Sequence, residues 1–196
     1  MQGILGPYEE VVESRATLGL CDAATSFYSK EVLYSLELSE LVVPLASTGA
    51  RVVVRAPHPD ELAALLEWRM LYAAETTRAK DTAGTRASES ARLAGYQERG
   101  HHFVATEVGE RVAYSAFNAT APDLVQIGGV WTPPALRGRG YGRSVVAGSL
   151  QIARDRGTKL AVLFTGEDNG PARAAYVSIG FRPVGDYAIV FFSPRG

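Results

Sequence analysis

The chain has a single cysteine, Cys21, among its 196 residues. One cysteine cannot form an internal disulfide, and it excludes a zinc site built from cysteines. No apolar run approaches the roughly 20 residues that a helix needs to cross a bilayer. The first residues, MQGILGPYEEVV, lack the basic stretch and apolar run of a signal peptide. We therefore expect a cytoplasmic protein in a reducing compartment, with no membrane partner.

An excess of charge of either sign is also missing. The 20 basic and 21 acidic residues leave a net charge of −1, which gives no indication of a nucleic-acid partner. Hydrophobic residues make up 46% of the chain, enough for a substantial core and too many for wholesale disorder. The length suits one ordinary domain with a short extra segment.

The apolar pattern divides the chain near residue 50. Within residues 1–50, YEEVVESRATLGL and SKEVLYSLELSELVVPL read as short helices, too small to form a core of their own. We predict a short N-terminal helical extension that packs on a second unit, residues 51–196. That unit begins with a strand at 51–55, followed by an amphipathic helix and a more polar helix that ends before Gly100.

Beyond Gly100 the pattern changes to short β-rich runs separated by turn residues. Three such runs predict an antiparallel meander. A glycine-rich loop, a helix, the apolar strand LAVLFT, a helix near Pro171 and a final strand, YAIVFF, follow. The order predicts an α/β fold with mixed strand directions.

The loop before the first of these helices concentrates glycine and arginine: Arg137, Gly138, Arg139, Gly140, Gly142 and Arg143. A helix N-terminus offers unpaired N–H groups and the positive end of a dipole to an anion. Glycine lets the backbone approach the ligand closely, and arginine adds charge and forked donors. We predict a phosphate-binding loop; the alternative is an arginine-rich surface turn.

Two familiar phosphate motifs do not match. The P-loop needs a lysine after its glycines, and none is present here. The dinucleotide pattern G-x-G-x-x-G fails because the third glycine, Gly142, comes one residue early and Arg143 stands in its place. A meander before the loop also does not fit a βαβ unit.

The pattern Arg137-x-x-Gly140-x-Gly142, after a strand that ends in VWTPP, resembles the acetyl-CoA signature of the GNAT superfamily, the GCN5-related N-acetyltransferases. The segment LFTGEDNGPARAAYVSIGF resembles the second conserved stretch of that superfamily. Its corresponding residues are Asn169, Tyr176, Gly180 and Phe181. The resemblance covers roughly residues 51–192. It implies a mixed, mostly antiparallel twisted sheet flanked by helices, and an N-acetyltransferase that uses acetyl-CoA as co-substrate without a covalent enzyme intermediate.

The resemblance also assigns roles at the matching positions. The pantetheine arm would pair with the backbone of Val130, Trp131 and Thr132. The pyrophosphate would lie on the backbone of Arg137, Gly138, Arg139, Gly140, Tyr141, Gly142 and Arg143. Asn169 would hydrogen-bond the pantetheine region, or simply cap a helix. Tyr176 would protonate the leaving thiolate, or simply be a core aromatic.

The resemblance leaves the general base unassigned. Many relatives carry a glutamate on the strand before the glycine loop, where this chain has Gln126. Glu75, Asp123, Glu167 or a chain of waters are the alternatives. No metal site is expected: His101 and His102 are adjacent on a strand and face opposite ways, and we expect them at a strand edge.

The acceptor follows from weaker signals. Glu67 and Glu75, eight residues apart on one helix face, would form an acidic wall for a cationic amine, or else a solvated face. We expect a small cationic amine, specifically an aminoglycoside antibiotic, which would make the enzyme a resistance factor. Amino acids, protein N-termini, a non-catalytic acyl-CoA-binding module and a nucleotide-binding protein remain as alternatives.

The N-terminal region resembles the middle of longer acetyltransferase-like proteins through GILGPYEEVV and LVVPLASTGARVVVRAP. This likeness implies that residues 1–50 are the remnant of a larger region. The predicted helices there would pair between the subunits of a homodimer.

Overall fold

The computed structural model of the chain describes residues 3–44 and 52–193. Within those ranges lie the strands β1 (Gly3–Pro7), β2 (Thr25–Glu37), β3 (Val53–Arg55), β4 (His102–Glu107), β5 (Glu110–Ala121), β6 (Leu124–Trp131), β7 (Leu160–Gly166) and β8 (Arg182–Phe192). The helices are α1 (Tyr8–Thr17), α2 (Leu62–Thr77), α3 (Ala83–Arg99), α4 (Tyr141–Asp155) and α5 (Gly170–Val177).

All eight of these strands join one sheet in the order β1-β8-β2-β7-β6-β5-β4-β3. The β6–β7 pair is parallel, and every other neighbouring pair is antiparallel. The predicted mixed, mostly antiparallel sheet is therefore confirmed. The meander β4–β6 and the succession α4, β7, α5, β8 also follow the predicted order.

The prediction of a second N-terminal helix is wrong. The residues around SKEVLYSLE belong to β2, a 13-residue strand that lies between β7 and β8 inside the sheet. Its apolar residues alternate: Val32, Tyr34 and Leu36 contact the main core, while the intervening side chains point to the other face. The first N-terminal helix is confirmed as α1. The proposed boundary between residues 50 and 51 lies outside the described residues.

Helices cover the two faces of the sheet unequally. On the first face, α4 and α5 pack against the main core, which includes Phe103, Phe117, Val145, Leu150 and Leu163. On the second face, α2 and α3 cover β4 to β6 through a smaller cluster of Leu65, Leu93, Tyr96, Tyr114 and Trp131. The site described below lies where the cover of the second face ends.

The second face also buries polar groups. His102 is the first residue of β4 and pairs with β5 alone, beyond the reach of β3, but its side chain is buried rather than exposed. Strand β4 lies between β3 and β5, and His102 is 1% exposed. Its Nε2 is 2.8 Å from Oε1 of Gln97, and its Nδ1 is 3.3 Å from the hydroxyl of Tyr114. Burial lowers the pKa of His102 to about 4, so the ring is neutral and structural.

Across residues 3–44 and 52–193, no helix combines the length and apolar character needed to cross a bilayer. Over the same part of the chain, no three His, Cys, Asp or Glu side chains come together in a way that could hold a metal ion.

Candidate functional site

Strands β6 and β7 pair over only three residues. Parallel pairing joins Leu124–Gln126 to Leu160–Val162 and then stops. Beyond that point β6 continues beside β5 only, and β7 continues beside β2 only. The two neighbours therefore diverge, and the facing backbone groups of β6 are left without a strand partner. This wedge-shaped gap in the sheet is called the splay below.

A β-bulge shapes the β6 wall of the splay. Tyr114 pairs with Trp131 and Ala116 with Gly128, so β6 carries one extra residue in this interval. Gly129 has a φ of +61° there, a conformation that favours glycine. A Cβ on Gly129 would lie 2.3 Å from Nη1 of Arg69, so a larger residue would also collide. The bulge reverses the alternation of β6 side chains between the two faces of the sheet. Trp131 consequently packs on the second face.

The glycine loop runs from the end of β6 to the N-terminus of α4. Gly138 and Gly140 have φ of +79° and +81°, and Gly140, as the N-cap, provides no side chain to the first N–H groups of the helix. Nε of Arg143 is buried, with no hydrogen-bond partner in the described part of the chain. Unsatisfied N–H groups, a helix dipole and a guanidinium together fit a bound pyrophosphate.

Other predicted residues of the loop have different surroundings. Tyr141 is buried and its hydroxyl donates to the Glu107 carboxylate, so only its backbone is available to a ligand. Arg139 is exposed. A Cβ on Gly142 would lie 3.5 Å from Oγ1 of Thr132, which places the helix start against the end of β6.

Arg137 links the end of β6 to α2. Its guanidinium lies 4.8 Å from the centroid of the Trp131 ring. Its Nε donates to the Thr132 carbonyl at 3.1 Å, and its Nη2 donates to the Glu75 carboxylate at 2.8 Å. Arg137 and Glu75 thus form an exposed ion pair at the mouth of the splay.

Tyr176 and Asn169 lie at the β7 side of the site, on and before α5. Tyr176 is 8% exposed and packs edge-on against Phe181 at 6.1 Å between ring centroids. Burial raises the pKa of Tyr176, so its hydroxyl stays protonated at neutral pH. Oδ1 of Asn169 accepts from the N–H of Ala172 at 3.3 Å. Tyr176 therefore packs as a core aromatic residue, and Asn169 caps α5, as the alternative reading of each residue predicts.

The remaining acidic residues do not gather at the splay. Glu67 is bound by Arg86, which also bonds to Asp81, so Glu67 and Glu75 pair with different arginines rather than forming a common wall. Asp123 precedes β6 at the closed end of the splay, where it pairs with Lys159.

Tyr72 is a residue that the sequence analysis missed. It lies on α2, and the Arg69 guanidinium is 4.7 Å from the centroid of its ring. Burial raises the pKa of Tyr72, while the Arg69 cation and the Gly129 backbone lower it. The pKa of Tyr176 is raised mainly by burial and further by the nearby Tyr72. Tyr72 packs against the second-face cluster and Tyr176 belongs to the main core on the first face, so the two tyrosines lie on opposite faces of the sheet. Tyr72 lies seven residues after Leu65 on the apolar stripe of α2, which is the signal that could have identified it.

A family model described as the Acetyltransferase (GNAT) family matches residues 62–181. The chain belongs to the GNAT family. It is therefore an acetyltransferase domain of a family that takes acetyl groups from acetyl-CoA, and the splay, the glycine loop and α4 are parts of this GNAT domain. No curated protein sequence matches the chain.

Solved GNAT structures share the fold. An acetyltransferase from Colwellia psychrerythraea superimposes with a TM-score of 0.63 at 16% identity, over 98% of this chain and 66% of the other. A GCN5-related N-acetyltransferase from Kribbella flavida superimposes with a TM-score of 0.57 at 22% identity, over 86% of this chain and 59% of the other. A tandem GNAT protein from the clavulanic acid biosynthesis pathway superimposes with a TM-score of 0.63 at 18% identity, over 99% of this chain and 64% of the other. This chain therefore spans about two thirds or less of each of these proteins.

Proposed function

We propose that this GNAT chain transfers the acetyl group of acetyl-CoA directly to a primary amine of a small cationic molecule. The observation that carries the proposal is the splay. It opens after Gln126 and Val162, and β6 leads from it into the glycine loop at the N-terminus of α4. A long ligand with an anionic end can extend along β6 and be held at the loop, with its other end inside the sheet.

The donor-binding residues follow from that placement. The N–H groups of residues 138–143, with Arg139 and Arg143, bind the pyrophosphate. The unpaired backbone edge of Val130 to Thr132 pairs with the amides of the pantetheine arm, and Asn169 contributes a further polar group from the β7 side. When bound, acetyl-CoA supplies a thioester carbonyl for attack and a thiolate leaving group.

Tyr176 provides the proton for that thiolate. A free thiol has a pKa of about 8.5, so a thiolate leaving group benefits from a proton donor that is still protonated at neutral pH. The raised pKa of Tyr176 keeps its hydroxyl in that form. No described cysteine or serine is needed in this scheme: the amine forms the C–N bond as the C–S bond breaks, and the proton that leaves its nitrogen replaces the one that Tyr176 gives to the thiolate.

Within the class of small cationic amines, an aminoglycoside is our specific proposal for the acceptor. Amino acids and protein N-termini are the alternatives, together with a module that binds acyl-CoA without turnover. A thiol-release assay with acetyl-CoA and a panel of aminoglycosides, polyamines, amino acids and peptides tests them. Thiol release that depends on an amine supports the enzyme; acetyl-CoA binding by calorimetry without release for any amine supports the module. Absence of acetyl-CoA binding contradicts both.

A homodimer is the remaining part of the proposal, and light scattering tests it. The sequence predicts the dimer from two N-terminal helices, of which only α1 is a helix in the structure. A monomeric mass would contradict it.

A further inference from the structure

Part of the second face of the sheet is left uncovered by the described helices. We call it the bare face and define it by Glu31 and Leu33 of β2, Phe164 and Gly166 of β7, and Tyr187 of β8. These residues are all half-buried, and the rings of Phe164 and Tyr187 stack at 4.2 Å between centroids. The bare face adjoins the splay, and Tyr72 of α2 lies on the same face of the sheet. The first face is filled by α4 and α5, so an acceptor reaches the splay over the bare face.

Glu31 lies level with the mouth of the splay. Gln126 and Val162 are the last parallel partners of β6 and β7. Four residues further along, β6 reaches Val130 beyond the bulge and β7 reaches Gly166, which is the partner of Glu31 on β2. Since the strands rise together, the Glu31 carboxylate stands at the height of the bulge, one strand beyond the β7 wall.

The environment of Glu31 leaves one of its oxygens available. Its Oε1 accepts from the Ser29 hydroxyl. A Cβ on Gly166 would lie 3.9 Å from Oε2, so the missing side chain opens a path from this oxygen toward the splay. In the described part of the chain no Lys, Arg or His forms an ion pair with Glu31. Its neighbour Lys30 points to the opposite face and pairs with Asp186.

Of the other charged groups nearby, the Arg69 cation at the bulge is paired with Glu89, and Asp168 adds negative charge. Asp168, in the turn after β7, would lie 2.6 Å from the same Cβ on Gly166, so two carboxylates flank this glycine. Arg173 donates to the Tyr34 hydroxyl and to the carbonyl of Glu167, and neither contact neutralises a carboxylate. The Glu31 charge also raises the pKa of Tyr72, which agrees with both groups facing one cleft.

We propose that Glu31 binds a second cationic group of the acceptor, beside the amine that is acetylated. The reacting amine must lie in the splay, between β6 and β7, while Glu31 lies on the next strand, roughly 5 Å farther out. A single ammonium cannot occupy both places, so the cation held by Glu31 is a second positive charge on the acceptor. This inference rests on the proposed function, since it assigns the acceptor side of the same site.

The test compares two acceptors of equal length, butane-1,4-diamine and 4-amino-1-butanol, in thiol release by the full chain. We expect the wild type to prefer the diamine by tenfold or more in kcat/KM. Glu31→Gln removes the charge while keeping the size of the side chain. It should raise KM for the diamine about tenfold, while kcat and KM for the amino alcohol change less than twofold. The matched control is Glu37→Gln, an exposed glutamate at the far end of the same strand, which should leave the preference intact.

The outcomes separate this inference from the proposed function. If acetyl-CoA binds and amines are acetylated, but Glu31→Gln keeps the wild-type preference or the wild type shows none, the inference is wrong and the function stands. If the wild type acetylates other amines and neither of these two, the inference is also wrong. If acetyl-CoA does not bind, both fail. Calorimetry with acetyl-CoA should give the same Kd for Glu31→Gln and the wild type, which confirms that the variant is folded; Glu31→Asp should restore part of the preference.

Discussion

At the scale of single residues, Tyr176 is a buried tyrosine on α5, the helix that follows β7. We predict that Tyr176→Phe lowers kcat by about 100-fold, the lower end of what a positioned proton donor contributes, while KM for acetyl-CoA stays within about twofold. The side chain keeps its packing against Phe181 because only the hydroxyl is lost. Steady-state kinetics by thiol release measure both constants. An unchanged kcat would remove Tyr176 from the acid role.

The pKa of Tyr176 also fixes the sign of a pH effect. Burial raises this pKa above the ordinary value of about 10, so the neutral, proton-donating form persists to higher pH than in a free tyrosine. We therefore expect no fall in kcat that depends on Tyr176 between pH 7 and 10. A descending limb in that interval that disappears in Tyr176→Phe would contradict the assignment.

The residues found only in the structure show where sequence reasoning ends. Arg137, Gly140, Gly142, Asn169 and Tyr176 lie in two local motifs, and the resemblance of those motifs to the GNAT signatures is what assigned them to the predicted site. Tyr72 and Glu31 lie on α2 and β2, far from those motifs in sequence, and they reach the splay only through the pairing of β2 with β7 and the packing of α2. Such residues have no local pattern, because the contact that brings them together is tertiary.

At the scale of elements, the glycines of the loop separate two physical effects. Gly138 has a φ of +79° with nothing near its missing Cβ, so Gly138→Ala introduces backbone strain alone, about 1 kcal/mol. Gly142 lies within α4, and a Cβ there makes only an ordinary contact with Thr132. Alanine at that position improves helix propensity by up to about 1 kcal/mol.

We predict opposite signs for the two substitutions. Gly138→Ala should lower the free energy of unfolding by about 1 kcal/mol, whereas Gly142→Ala should leave it unchanged or raise it. Gly142→Ala should nevertheless weaken acetyl-CoA binding by at least tenfold, since its methyl group occupies space that the pyrophosphate needs. Urea unfolding and calorimetry measure the two quantities. Wild-type affinity in Gly142→Ala would exclude close approach of the cofactor at this residue.

The elements themselves were predictable to different degrees. From β4 onward, turn residues separate short segments that each show one hydrophobic period, either that of a strand or that of a helix. The predicted order of strands and helices is confirmed there. The segment that forms β2 contains apolar residues at 32, 33, 34 and 36, which suit a helix face as well as an alternating strand. Pairing with both β7 and β8 makes this segment a strand rather than a helix. This tertiary effect cannot be derived from the sequence of the segment alone.

At the scale of the whole molecule, the N-terminal segment is an interior part of the sheet. β2 pairs with β7 on one side and with β8 on the other, and β1 extends the sheet beyond β8. Without residues 1–50, β7 and β8 lose the strand that lies between them, and the core loses Tyr34, Leu36 and Leu38, all 2% exposed or less. Three large buried side chains cost several kcal/mol in total, at about 2 kcal/mol or more for each, which is comparable with the whole stability of a domain.

We therefore predict that a chain of residues 51–196 does not fold by itself, although the family model lies entirely within it. Circular dichroism should show loss of cooperative thermal unfolding, and calorimetry should show no acetyl-CoA binding. Co-expression with a separate fragment of residues 1–44 should restore both, because β2 can pair with β7 and β8 without a covalent link. A stable, acetyl-CoA-binding fragment 51–196 would show that the remaining strands close the sheet without β2. It would also remove Glu31 from the site, so its acceptor preference would provide a second, independent test of the role of that carboxylate.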